Sequence, residues 1–216
     1  MVLAGLLGTT GALGNITEEE ATRLGTTLTP LGAEKAGNKD GSLPAWTGTL
    51  QGLPAGLEYG GPGTPYPDLY ARDEKILTIT AENMNQYADR LTVGQRTLLA
   101  TYPQTYRIDV YPSHRDAAVP ARLAECTRYN ALHAELYGGD DGIRGYTGGV
   151  PFPIPKSGAE AMWNGRTSLF YYVMEGKYDD VATFPNGTQS YQKASIITMV
   201  PYNDPTLMFV NAGMVP

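Results

Sequence analysis

Cysteine and histidine are almost missing from this chain of 216 residues, which has one Cys and two His. A single thiol, Cys126, closes no internal disulfide, and His114 and His133 with scattered acids give no metal-ligand spacing. No metal or other cofactor is therefore expected. Charge is scarce as well: Asp, Glu, Lys and Arg make up 18% of the residues, and the net charge of -6 leaves no basic field to gather phosphates. Nucleic acid and anionic membrane surfaces are thereby excluded as expected partners. Long apolar runs are lacking too, because the longest, Met1 to Gly14, is too short to cross a bilayer. The glycine clusters at Gly60 to Gly63 and Gly138 to Gly142 lack the strand, helix and lysine of a phosphate loop, so they read as turns. No repeat, heptad or low-complexity segment is present, and no serine stands in a nucleophile-elbow context.

What the chain does have is loop-forming residues and tyrosine. Gly (26) and Pro (16) imply many connections, and 15 Tyr favour aromatic surfaces that are part dry and part wet. With 42% apolar residues the chain can bury a real core as one medium-sized domain. The uncharged opening MVLAGLLGTTGALG has the texture of a signal-peptide core, with small residues at Ala12 and Gly14, and it predicts a mature start near Asn15. No Lys or Arg precedes it, so the expectation includes a longer signal upstream or a clipped front. No cysteine follows it, so a lipid-modified N-terminus is not expected.

Beyond this segment, residues 15 to 216 read as a single domain in three stretches. The first, 15 to 79, opens on the capping box Thr17-x-x-Glu20, which predicts a short helix through Leu24 ended by Gly25. Six prolines between Pro30 and Pro67 then predict a long irregular arm pinned by Trp46, Leu50, Leu57 and Tyr59. The second stretch, 80 to 166, predicts a helix capped by Thr80 and another opened by Thr92-x-x-Gln95 and stopped by Pro103. A half-buried strand over Thr105 to Tyr111 follows, then a helix over Pro120 to Tyr137. The proline-stiffened GGVPFPIP at Gly148 to Pro155 and a short helix capped by Ser157-x-x-Glu160 complete it. The third stretch, 167 to 216, predicts strands at Thr167 to Glu175 and Ser195 to Val200, with a turn at Pro185-Asn186-Gly187. Both strands are apolar on both faces, and such strands need cover on both.

Two local patterns bear on chemistry. Asp109, Tyr111, His114, Arg115 and Asp116 gather polar and titratable groups just after the central strand, where an acid-base pair could be assembled. The doubly apolar strands fit a conventional two-sided core, with helices as one layer and another sheet, a partner or an apolar ligand as the second.

Longer strings carry a family likeness. Leu24 to Pro30, Gly32 to Asn38, Pro44 to Gly48, Gly63 to Asp68 and Thr78 to Met84 resemble the opening of an exported Gram-negative family, the domain of unknown function 1329. Tyr102-Pro103, Asp109 to Pro112, His114-Arg115 and Gly148 to Lys156 continue the match, which covers roughly residues 15 to 165 and reads as the N-terminal half of such a protein. The resemblance implies an α+β fold similar to outer-membrane lipoprotein-sorting carriers: a curved antiparallel sheet packed on helices, a half barrel left incomplete in this chain. It also implies a periplasmic setting, possible outer-membrane association, and partnership with a resistance-nodulation-division exporter and an outer-membrane protein. The expectation drawn from both sources is a non-enzymatic carrier or accessory protein that binds a lipid or another hydrophobic small molecule. Its cavity is assigned to Tyr106, Ile108, Val110, Phe170, Tyr172, Met174, Ile197 and Met199, one face of each strand. The alternatives are an adaptor subunit of an exporter complex without a ligand, and a hydrolase or isomerase using Asp109, Tyr111 and His114.

Overall fold

A computed structural model describes residues 16–61, 63–169 and 171–206 of the chain. The apolar Met1 to Gly14 segment and Phe170 lie outside the described residues. The fold is α+β, and each sheet among the described residues is an antiparallel pair of strands: β1 (Leu77–Ile79) with β2 (Ile108–Val110), β3 (Glu135–Tyr137) with β4 (Gly142–Arg144), and β5 (Val173–Thr183) with β6 (Gln189–Met199). The chain divides into two compact units, Met1–Ala36 with Ala118–Pro216, and Gly37–Ala117.

In the larger unit the capping box forms as its spacing dictates. The Thr17 hydroxyl accepts from the Glu20 N–H at 3.1 Å, and the Glu20 carboxylate accepts from the Thr17 N–H at 2.8 Å. The helix it opens, α1 (Glu18–Ala21), stops one turn earlier than Leu24. The main helix, α3 (Ala121–His133), buries Leu123, Cys126, Thr127, Asn130 and Ala131, an i, i+3, i+4, i+7, i+8 spacing that puts them on one face. Cys126 is fully buried there, and that burial pushes its thiol above its ordinary value. The helix predicted to reach Tyr137 ends at His133, because Glu135–Tyr137 leaves as β3 and pairs with β4 (Gly142–Arg144). The register sets Leu136 opposite Ile143 and Glu135 opposite Arg144, whose guanidinium meets the carboxylate at 2.7 Å. The connecting Gly138, Gly139 and Asp140 all have positive φ, which explains the glycines.

The GGVPFPIP segment, expected to be extended, instead bends repeatedly with no helix or strand, beginning at the positive-φ Gly149, and amide side chains hold it in place. Asn130, from α3, donates to the carbonyls of Thr147, Gly148 and Val150 at 2.7, 2.9 and 3.2 Å and accepts from the Thr147 N–H at 2.9 Å. From α4 (Gly158–Arg166), Asn164 exchanges two bonds with the Phe152 backbone, at 2.7 and 2.9 Å. Gly149 sits at φ +80, with a Cβ position only 2.6 Å from Thr127 Oγ1 and 2.9 Å from the Leu123 carbonyl, so a side chain there would collide with α3. Around this segment Ala134, Ile143, Tyr146, Phe152 and Trp163 close into the core of the unit. The Trp163 indole N–H donates to the Asp140 carbonyl at 3.0 Å.

β5 (Val173–Thr183) and β6 (Gln189–Met199) form a long hairpin whose register runs from Val173 opposite Met199 to Thr183 opposite Gln189. Asn186 Oδ1 accepts from the Thr188 N–H and hydroxyl in the turn, at 3.1 and 2.8 Å. The turn matches its proline-asparagine-glycine signal, but β5 starts at Val173 rather than Thr167, because α4 runs to Arg166 with Thr167 as its C-cap, and both strands run further toward the turn than their apolar ends suggest. Every described residue of both strands is exposed or half-exposed, and Val173, Val181, Tyr191, Ile197 and Met199 on one face match Met174, Tyr178 and Ile196 on the other.

The smaller unit, Gly37–Ala117, is built from the arm, two short strands and two helices. β1 (Leu77–Ile79) pairs with β2 (Ile108–Val110). The helix expected after Thr80 is a 3₁₀ helix, Met84–Arg90, broken by a non-helical Tyr87. Asn83 rather than Thr80 organises its start, accepting from the Thr80 N–H at 2.8 Å and donating to the Thr78 carbonyl at 3.0 Å. α2 (Val93–Thr101) carries the Thr92–Gln95 capping box. The arm is tied to the segment after β2 by Thr47 and Leu50 N–H bonds to the Arg115 and Asp116 carbonyls, at 2.9 and 2.7 Å. The Trp46 indole N–H reaches the Ala117 carbonyl at 3.0 Å.

Candidate functional site

An open cleft of about 750 Å³ lies within the Gly37–Ala117 unit. Its floor follows from the β1–β2 register: Leu77 stands opposite Val110, and Ile79 opposite Ile108. Directly opposed residues, and residues two apart on one strand, share a face, so these four side chains form one apolar surface. The intervening pair, Thr78 and Asp109, falls on the reverse face. There the Thr78 hydroxyl donates to Asp109 at 2.6 Å, with Lys75 at 3.0 Å and Arg107 at 3.5 Å. These contacts, the Thr78 hydroxyl first, hold the Asp109 carboxyl below the ordinary aspartate range. The strand pair thus separates charge from cleft by simple alternation.

The walls come from three further segments. The 3₁₀ helix and the turn after it contribute Tyr87, Arg90 and Leu91, and α2 contributes Gln95. The arm brings Gly41, Ser42 and Pro44, and the exit from β2 brings Tyr111, Pro112 and Ser113. Ile76 and Tyr111, 62% and 48% exposed, leave apolar surface open to solvent at the cleft. A volume of this size and a mostly apolar lining suit one small ligand. A second hollow, about 220 Å³ and lined by Leu24, Pro30, Ala124 and Arg128 among others, lies in the larger unit and is shallower.

The structure distributes the predicted cavity residues over both units. Ile108 and Val110 are cleft floor, and Tyr106, half-buried on the same alternation, is not part of the lining. Tyr172 is half-buried, and the Asp204 carboxylate at its hydroxyl pushes its ionisation up. Met174 opposes Thr198, whereas Ile197 and Met199 oppose Glu175 and Val173, so Met174 is on the opposite face of the hairpin from Ile197 and Met199. A one-residue offset reverses the face of a strand, and the sequence carries no mark of which offset the hairpin adopts. Leu77, Ile79, Tyr87 and Leu91 were missing from the predicted lining. The apolar alternation in Ile76-Leu77-Thr78-Ile79 was the signal available for the first two, but a three-residue strand is too short for periodicity to declare.

The polar cluster after β2 is tied to residues outside it rather than assembled into one group. His114 Nε2 meets Asp73 Oδ2, and the His114 ring stacks on Tyr70 with centroids 3.9 Å apart. The Tyr70 hydroxyl donates to Asp116 at 2.7 Å, which raises its ionisation. Arg115 Nη1 donates to the Pro44 carbonyl at 3.1 Å. Asp109 and His114 therefore have separate partners, and Tyr111 faces the cleft. Among the described residues no group of three or more His, Cys, Asp or Glu could hold a metal ion, and no helix is long and apolar enough to cross a membrane.

Comparison with known proteins bears on the same stretch. The family model described as "Protein of unknown function (DUF1329)" matches residues 78–212, from β1 through both strands of the long hairpin. An uncharacterized protein of Pseudomonas aeruginosa, PA3922, is 44% identical over 163 residues, which are 76% of this chain and 35% of that protein. The chain thus spans about a third of the length of the curated relative it matches. No solved structure matches it.

Proposed function

For this chain, which belongs to the DUF1329 family, we propose a non-enzymatic role: holding an apolar small molecule or single lipid chain in the cleft of the Gly37–Ala117 unit. One observation carries the reading, the apolar surface of the β1–β2 pair, on which half-exposed Leu77, Ile108 and Val110 surround a buried Ile79 in an open cleft. Desolvation is the driving force. Each methylene taken from water contributes about 0.8 kcal/mol, so ten would contribute about 8 kcal/mol before the cost of ordering the ligand. On this reading the protein acts as a carrier outside the cytoplasm, behind the exported Met1–Gly14 segment. It works with an exporter and an outer-membrane protein, and its long hairpin begins a curved antiparallel half barrel. Support for that setting comes from the family likeness of the sequence strings.

The test is titration with the uncharged fluorophore N-phenyl-1-naphthylamine. Saturable binding to one site, weakened at least tenfold by Ile108→Asp in a folded variant, is the expected result. Binding that is absent, or indifferent to Ile108→Asp, would remove the cleft from consideration.

A second reading, an adaptor without a ligand, is favoured by the β5–β6 hairpin, whose apolar side chains are uncovered on both faces among the described residues of its unit. A chain that binds no fluorophore yet co-purifies stoichiometrically with an exporter through that hairpin would favour it over the carrier.

A further inference from the structure

The cleft is apolar but not uniformly so, and its one departure points to a class of ligand. Among the described residues that line it, Arg90 alone carries a formal charge. Its guanidinium extends toward the arm, where it meets Asp40 at 3.8 Å, beside the lining residues Gly41 and Ser42. That ion pair is loose, with side chains 65% and 56% exposed, and such pairs hold their partners weakly. Asp40 does not depend on it. The Ser42 N–H and hydroxyl both donate to Asp40 Oδ1, at 3.0 and 2.7 Å, and these bonds lower its ionisation before any contribution from Arg90. A guanidinium has five donors in a planar fork, so one edge can remain near Asp40 while another takes two oxygens of an incoming anion. Gln95 adds to the donor side. Its amide oxygen accepts from the Thr92 N–H and hydroxyl at 2.9 and 3.1 Å, so its NH₂ group, a donor only, takes no part in the capping box.

Resting on the cleft reading above, we propose that the ligand is a single-chain amphiphile with an anionic head group, a carboxylate or a phosphate, paired to Arg90 while its chain lies on Leu77, Ile79, Ile108 and Val110. The attraction is local to this arginine, because the chain as a whole has a net charge of -6 and repels anions at long range. A fork that grips two oxygens favours carboxylate and phosphate over an alcohol of the same length. Asp40 sets the limit on the head group: a second negative charge placed on its side of Arg90 would meet like charge, so the head must approach from the cleft side.

The experiment is displacement of N-phenyl-1-naphthylamine by hexadecanoate, hexadecyl phosphate and hexadecanol, each below its micelle concentration, on wild type, Arg90→Gln and Arg90→Lys. Arg90 is exposed, so both variants should keep the wild-type melting temperature. The expected result is at least a tenfold preference of wild type for one or both anions over hexadecanol, shrinking with added salt. Arg90→Gln should abolish that preference by weakening the anions at least tenfold more than hexadecanol, and Arg90→Lys should retain part of it. The relative strength of the two anions tells a carboxylate head from a phosphate one. Equal affinity for hexadecanol and both anions would overturn the head-group assignment while leaving an apolar cleft intact, and so would a preference that survives Arg90→Gln. Failure of all three amphiphiles to displace the fluorophore, or displacement that Ile108→Asp does not weaken, would overturn the cleft reading itself.

Discussion

The core of the larger unit, outside its exposed hairpin, and the cleft of the smaller unit handle their apolar residues in opposite ways. In the larger one, Ala134, Ile143, Tyr146, Phe152 and Trp163 close on one another, and buried amides pin the intervening backbone. In the Gly37–Ala117 unit only Ile79 and Leu99 are buried among the described residues, although Leu77, Leu91, Ile108 and Val110 are close in space to Ile79 around the cleft. A filled interior contributes stability, whereas an apolar surface left open contributes affinity for whatever displaces its water. Substitutions in the two units should therefore change different measurements.

The largest effect is expected at Trp163, 4% exposed, where Trp163→Ala should lower unfolding free energy by about 3–5 kcal/mol, read from the denaturant midpoint. A loss below about 1 kcal/mol would break the contrast, because it would mean the larger unit is no better packed than the smaller. Next comes Asn130→Ala, which strips partners from three carbonyls and one N–H in buried backbone and should cost about 3 kcal/mol by the same measurement. In the open unit, Ile108→Ala should reduce stability by only about 1 kcal/mol while weakening fluorophore binding several-fold; the reverse ordering would assign Ile108 to a core.

A smaller, pH-dependent effect is expected on the reverse face of β1–β2. Asp109 ionises more easily folded than unfolded, so its contribution is present above the ordinary aspartate value of about 3.9 and lost as pH falls through its lower folded value. Thr78→Val removes the main cause. Acid unfolding should then begin at higher pH than in wild type, and the stability difference between the two, measurable at pH 7, should vanish at the acid end. Least of all should happen at Ile197, 73% exposed on the hairpin, where Ile197→Thr should stay within about 0.5 kcal/mol of wild type. A larger loss would show that something covers that face.

Legibility followed the same division. Capping boxes at Thr17 and Thr92, the Ser157 cap and the Asn186-Gly187 turn are local devices whose spacing is written in the chain, and each forms. The end of α3 was overrun because Glu135, Leu136 and Tyr137 suit a helix as well as a strand, and their pairing with Gly142–Arg144 decides the matter. Of the site, Ile108 and Val110 were legible from alternation. Leu77 and Ile79 were not, since only the partner strand makes a three-residue segment a strand. The faces of the long hairpin were illegible for another reason: both are apolar, so no pattern distinguishes one register from its neighbour.

Cys126 has a practical consequence. The chain's single thiol is sealed inside α3's buried face and held protonated by that burial, so it offers thiol-directed reagents little to attack. The native protein is in effect a silent background for site-directed labelling. A nitroxide or environment-sensitive dye attached through Ser113→Cys, an exposed position on the cleft wall, would report polarity and motion there alone as cargo enters, without any native cysteine to remove first.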